Sequence, residues 1–191
     1  MFPEENKKGV KLATNVSKSI EVKVLDTPMA EEIKKAMKEV EPLADGSKNI
    51  QINFVSTTGT VPVAISLLEA IHKSDVDCIA HCTGELDFAS TIVLAGCKFL
   101  GRSSDATSMF NLFNVPEKAG KKRKTLTPEE ENGLAILNKL TGKEKNTIKT
   151  LLLSGTKVTA DKMKSLGLID KIDGEFVDKY AQARLDAKNK K

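Results

Sequence analysis

Hydrophobic and polar positions alternate with a period of two over Glu21-Val-Lys-Val-Leu25 and over Ile50-Gln-Ile-Asn-Phe-Val55, the pattern of half-buried strands. Val76-Asp-Cys-Ile-Ala-His81 supplies a third strand. Between these segments the period lengthens to three and four. Ile33, Met37 and Val40 mark the apolar face of a helix, with Thr27 as its N-cap, Pro28 at its first position and an end near Asp45-Gly46. A second helix is predicted from Val61 to His72, after the turn Ser56-Thr-Thr-Gly59. The turn Thr83-Gly84 then leads into Phe88 to Cys97, a stretch apolar nearly all round and therefore a buried helix. Strands alternating with helices in this way predict an α/β domain.

The second half is less regular. Lys98-Phe-Leu100 and Ser108 to Phe113 read as short strands, and Pro116 to Lys124 as a Gly- and Lys-rich connection. Thr127-Pro-Glu-Glu130 is a capping box, so a helix starts there and runs to Leu140. Ile148 to Leu153 predicts another helix, and Thr159 caps a short one that Gly167 closes in the left-handed conformation. Leu168 to Ile172 reads as the last strand.

With 191 residues the chain suits one domain, and 40% hydrophobic against 29% charged residues is globular composition. The boundaries read as a flexible segment 1–18, a domain 19–174 and a charged tail 175–191. No apolar run is long enough to cross a bilayer, and Met1 to Lys8 is charged, which predicts an unexported, cytoplasmic protein with no membrane partner. Three cysteines without framework spacing (Cys78, Cys82, Cys97) read as reduced thiols. Thirty basic against 26 acidic residues, a net charge of +4, fall short of the basic footprint that nucleic acid calls for.

Three segments together resemble the proteolytic subunit of the Clp protease, ClpP, within the ClpP/crotonase superfamily. Thr141-Gly142, Ile148, Thr159-Ala160 and Gly167-Leu-Ile-Asp-Lys-Ile172 are similar to the family's C-terminal pattern. Ser56-Thr-Thr-Gly-Thr-Val61 stands where the family writes S-P-G-G-x-V, and Leu94-Ala-Gly-Cys-Lys98 is similar to the end of its nucleophile helix. The resemblance spans about Val22 to Ile172 and implies a fold of repeated ββα units. It also implies a ring-forming homo-oligomer, with a ClpP paralogue or a Clp-type ATPase as further partners.

The family's reaction needs a serine, a histidine beside it, a carboxylate orienting the histidine and backbone amides facing the oxyanion. By the same resemblance these positions hold Asp87 (or Leu86), Asn111 (or Leu112) and Leu151, so the triad is lost. Ser90, one helical turn farther in, is the nearest candidate nucleophile. Of the two oxyanion-hole glycines, Thr58 replaces the first and Gly59 retains the second. The leading expectation is an inactive pseudo-peptidase acting as a structural or regulatory subunit. A serine peptidase with relocated residues around Ser90 and a crotonase-like acyl-binding protein using the Gly59 amide are the alternatives. No cofactor or metal is expected.

Further candidates have plainer explanations. Asp87 at a helix start caps free amides, against a carboxylate pair with Glu85 for acid/base work. Cys78, His81 and Cys82 lack a second pair of metal ligands, and His81 and Cys82 point to opposite faces of one strand. The basic run Lys118 to Lys124 is a solvated loop, or else meets an anionic partner or alters how rings dock.

Overall fold

The computed structural model describes residues 16–98, 101–112, 124–142 and 145–172. Strands and helices alternate from the start: β1 (Lys18–Leu25), α1 (Thr27–Glu39), β2 (Asn49–Gly59), α2 (Val61–Lys73) and β3 (Asp77–Thr83). Next come β4 (Glu85–Leu86), α3 (Phe88–Gly96), β5 (Arg102–Ser104) and β6 (Met109–Phe110). The chain continues with α4 (Pro128–Thr141), α5 (Lys145–Ser154), β7 (Val158–Thr159), α6 (Ala160–Leu166) and β8 (Lys171–Ile172). The fold is thus α/β, and β3-β4-α3 and β5-β6-α4 follow a strand–strand–helix order.

The main sheet has the order β1-β2-β3-β5-β8, and every neighbouring pair in it is parallel. Strand order therefore follows chain order. Crossovers between parallel strands are right-handed, so successive steps in one direction place their helices on one face of the sheet. The burial pattern agrees. Ile20 and Val22, Ile50, Ile52 and Phe54, and Cys78, Ala80 and Cys82 are buried in one core with the helices, while the alternate residues on these strands are part-buried or exposed. A second, three-stranded sheet, β4-β6-β7, carries the turn before α3 and the start of α6.

Several elements differ from the sequence expectation. Asp26, not Thr27, caps α1, its Oδ1 accepting from the Met29 amide at 2.9 Å, because Asp26 keeps extended backbone while Thr27 is already helical. That helix ends at Glu39, where Val40 takes up extended backbone two residues before Pro42. Ser56 to Gly59 is not a turn: β2 runs on through it, because Thr58 and Gly59 still pair with Val24 and Leu25 of β1 after a bulge. The strand expected at Lys98–Leu100 lies at Arg102–Ser104, Lys98 being irregular and 99–100 outside the described residues. The strand expected from Ser108 to Phe113 shrinks to two residues, and the last strand to Lys171–Ile172. The capping box at Thr127–Glu130 and the left-handed Gly167 (φ 76°) are as expected. Segments 1–15, 113–123 and 173–191, with most of the basic run Lys118 to Lys124 and of both expected tails, lie outside the described residues.

Candidate functional site

The site begins with a distortion of β2. Ser56 has φ 45°, in the left-handed region, and this bulge turns the rest of the strand toward the start of α3. The Ser56 hydroxyl sits against Gly84 so closely that a Cβ on Gly84 would lie 2.4 Å from it, and Gly84 itself has φ 80°. A glycine is required there on both counts. Past the bulge, the Thr57 carbonyl accepts the Asp87 amide at 3.1 Å, and the buried Thr57 hydroxyl donates to the Val22 carbonyl at 2.5 Å.

Asp87 is the N-cap of α3, and its two carboxylate oxygens have separate donors. Oδ1 accepts from the Ser90 amide at 2.8 Å, the ordinary capping bond. Oδ2 accepts from the Gly59 amide at 2.6 Å. The amide that the resemblance assigns to an oxyanion hole is therefore already bound to a carboxylate of the same chain. Burial raises the Asp87 pKa above 3.8, opposed in part by the Ser90 amide and hydroxyl and by the Gly59 amide.

Around Asp87 the structure gathers some of the residues singled out from sequence. Glu85 pairs with Met109 and Leu86 with Phe110, and Asn111 follows directly after this ladder. The Asn111 amide donates to the Leu86 carbonyl at 2.7 Å, its Nδ2 donates to Glu85 Oε2 at 3.3 Å, and its Oδ1 is buried without a partner. Ser90 is fully buried. Its hydroxyl has no hydrogen-bond partner of good geometry, although it lies near enough to the Asp87 carboxylate to favour the charged form. Thr58 is exposed on β2, and Leu151 is a part-buried residue of α5 packed against the core.

Glu85 and Asp87 occupy unlike surroundings. Glu85 is exposed and pairs with Lys157 at 2.5 Å, which, with the Asn111 amide, holds its carboxyl below the usual range. Of the metal reading nothing gathers: among the described residues no three His, Cys, Asp or Glu side chains converge. Burial pushes the Cys78 and Cys82 thiols up to about 12, which keeps them protonated and poor nucleophiles.

The two-oxygen arrangement changes what a substitution at Asp87 should do. An asparagine has one acceptor oxygen and would turn its NH2 toward the other amide, so Asp87→Asn is expected to lose about half the effect of Asp87→Ala. Alanine removes a cap and strands the Gly59 amide, together about 2–3 kcal/mol. Urea unfolding measures both, and an alanine variant as stable as the parent would remove the argument. The pH dependence has a definite sign. Above 3.8 the folded chain keeps a proton that the unfolded chain has released, so the stability due to Asp87 is greatest in acid and is lost as pH rises through the raised pKa. The urea midpoint of Asp87→Asn should therefore gain on the parent as pH rises from below 3.8 through the raised pKa of Asp87.

No family model matches the chain, and no curated protein matches it. No helix among the described residues is long and apolar enough to cross a membrane.

Proposed function

We propose that this chain is a ClpP-like subunit that is inactive as a peptidase and acts as a structural or regulatory component of a homo-oligomer. The observation that carries the reading is the 2.6 Å bond from the Gly59 amide to Asp87 Oδ2. In the ClpP-like alignment, Asp87 stands in the nucleophile's place and Gly59 supplies the oxyanion amide. A carboxylate there gives no nucleophilic alcohol, and it occupies the donor that a tetrahedral intermediate would need. The same bond weighs against acyl-thioester binding at Gly59. Asn111 cannot take a proton at neutral pH, and Leu151 has no group to orient a base. A relocated nucleophile at Ser90 is disfavoured by a hydroxyl that is fully buried, out of reach of a substrate.

Short fluorogenic peptides should not be hydrolysed by the purified chain, and a fluorophosphonate should leave Ser90 unmodified on peptide mapping. Asp87→Ser alone should not restore peptidase activity, since a hydroxyl without a base stays protonated. Peptide turnover, or a stoichiometric adduct on Ser90, would overturn the reading. The assembly is proposed as a single ring or smaller. Its contacts exclude Phe110, which is fully buried within the subunit, β6 lying between β4 and β7. Light scattering should give a mass above that of one chain at micromolar concentration, and a monomer would count against it.

A further inference from the structure

A row of polar residues crosses the helix-free face of the main sheet. Asn53 on β2, His81 on β3, Ser103 on β5 and Lys171 on β8 are successive register neighbours. Asp105 lies two residues past Ser103, just beyond the end of β5, where its amide donates to the Cys82 carbonyl at 2.9 Å. The His81 ring reaches both Ser103 and Asp105. Its Nδ1 is 2.9 Å from Ser103 Oγ and its Nε2 is 3.3 Å from Asp105 Oδ1.

In the neutral imidazole, a proton on Nε2 meets the accepting Asp105 carboxylate and leaves the Nδ1 lone pair toward the Ser103 hydroxyl. Hydroxyl, imidazole and carboxylate then stand in the order that activates a serine, which is recognised by geometry and not by position in the chain. The His81 and Asp105 side chains are 24% and 30% exposed, so the cluster is open to solvent. Ser103 has one competing contact, to the Ala80 carbonyl at 3.5 Å, longer than its contact to the imidazole.

We propose that Ser103, with His81 as general base and Asp105 as the residue that orients it, is a nucleophilic site for small activated carboxylic esters. Ser103 Oγ attacks the carbonyl carbon while its proton passes to His81 Nδ1. Collapse of the intermediate breaks the ester C–O bond, and the departing alkoxide takes the proton from His81. Water, activated by the same nitrogen, then hydrolyses the acyl-serine and restores the hydroxyl. The site lies on a sheet face and not in a deep cleft, which suits a small acyl group and not an extended peptide. It is separate from Asp87, so its failure would leave the reading of that site untouched.

The test uses the full chain with p-nitrophenyl acetate for rate and a fluorophosphonate followed by peptide mapping for location. Ser103 is expected to be the mapped residue. Ser103→Ala should remove that adduct and lower ester hydrolysis about tenfold or more, and Asp105→Asn should slow labelling of Ser103 by roughly 10–100-fold near neutral pH. Circular dichroism of each variant separates loss of activity from loss of fold. Should Ser103→Ala not fold, the adduct mapped on the parent and the Asp105→Asn rate decide alone. A folded parent with no adduct on Ser103 overturns the proposal. So does a labelling rate that neither Asp105→Asn nor His81→Gln changes, which would make the cluster a hydrogen-bonded feature of the sheet and nothing more.

Discussion

Asp170→Ala should destabilise the fold by about 3–5 kcal/mol, the range for breaking a buried ion pair from one side. Asp170 and Arg102 are each 5% exposed at the side chain and join β5 to the segment leading into β8. Arg102 Nη2 donates to Asp170 Oδ1 at 2.5 Å and Nε donates to Oδ2 at 3.0 Å, while Nη1 donates to the Ala95 carbonyl at the end of α3 at 2.9 Å. Removing the carboxylate takes away the buried charge that Arg102 Nε and Nη2 bond. The double variant Arg102→Met with Asp170→Leu removes both charges at similar volume and should cost far less than Asp170→Ala alone. Urea unfolding of the three proteins measures this. An Asp170→Ala variant within about 1 kcal/mol of the parent would show that the pair does not hold the strand.

Gly133→Ala comes next, with an expected loss of about 1–3 kcal/mol. Gly133 lies on α4 where that helix crosses α3, and a Cβ there would stand 2.5 Å from two ring carbons of Phe88 and 2.8 Å from Ile92 Cδ1. Phe88 and Ile92 are fully buried, so neither can swing into solvent. Alanine is the better helix former by about 1 kcal/mol, and a net loss therefore requires the clash to exceed that gain. The cycle with Phe88→Leu tests the cause. Leucine frees the space the new methyl needs, so the double variant should be more stable than the sum of the single changes by about 0.5–3 kcal/mol. Additive effects would place the cost of Gly133→Ala somewhere other than the ring.

How much of this was legible in the sequence depended on whether the information was local. The period of α1, the apolar runs of α2 and α3, the capping box at Thr127 and the left-handed Gly167 are local signals, and the structure has them all. Asp87 as a cap was legible because a carboxylate before an apolar run has few other uses. Its second donor was not, since Gly59 is 28 residues away and only the bulge at Ser56 brings its amide round. The bulge hides in Ser56-Thr-Thr-Gly59, four residues that read equally well as a turn. The Ser103, His81 and Asp105 cluster left no trace in the sequence for a similar reason. Its parts meet only through the pairing of β3 with β5, and the expected strand at Lys98–Leu100 put the pairing in the wrong place.

The one-directional order of the main sheet also bears on how the chain assembles. Each strand is laid beside the one made before it, so β1, β2 and β3 with α1 and α2 can form a growing sheet while the rest of the chain is still being synthesised. The contact between Arg102 and Asp170 joins residues 68 apart in sequence and waits for α4, α5 and α6. Loop closure on that scale is slow compared with the local steps that precede it. The last parallel strand is therefore expected to dock, like a clasp, after the body has formed, and a nascent chain stopped at α3 should expose the β3 edge on which β5 is later laid.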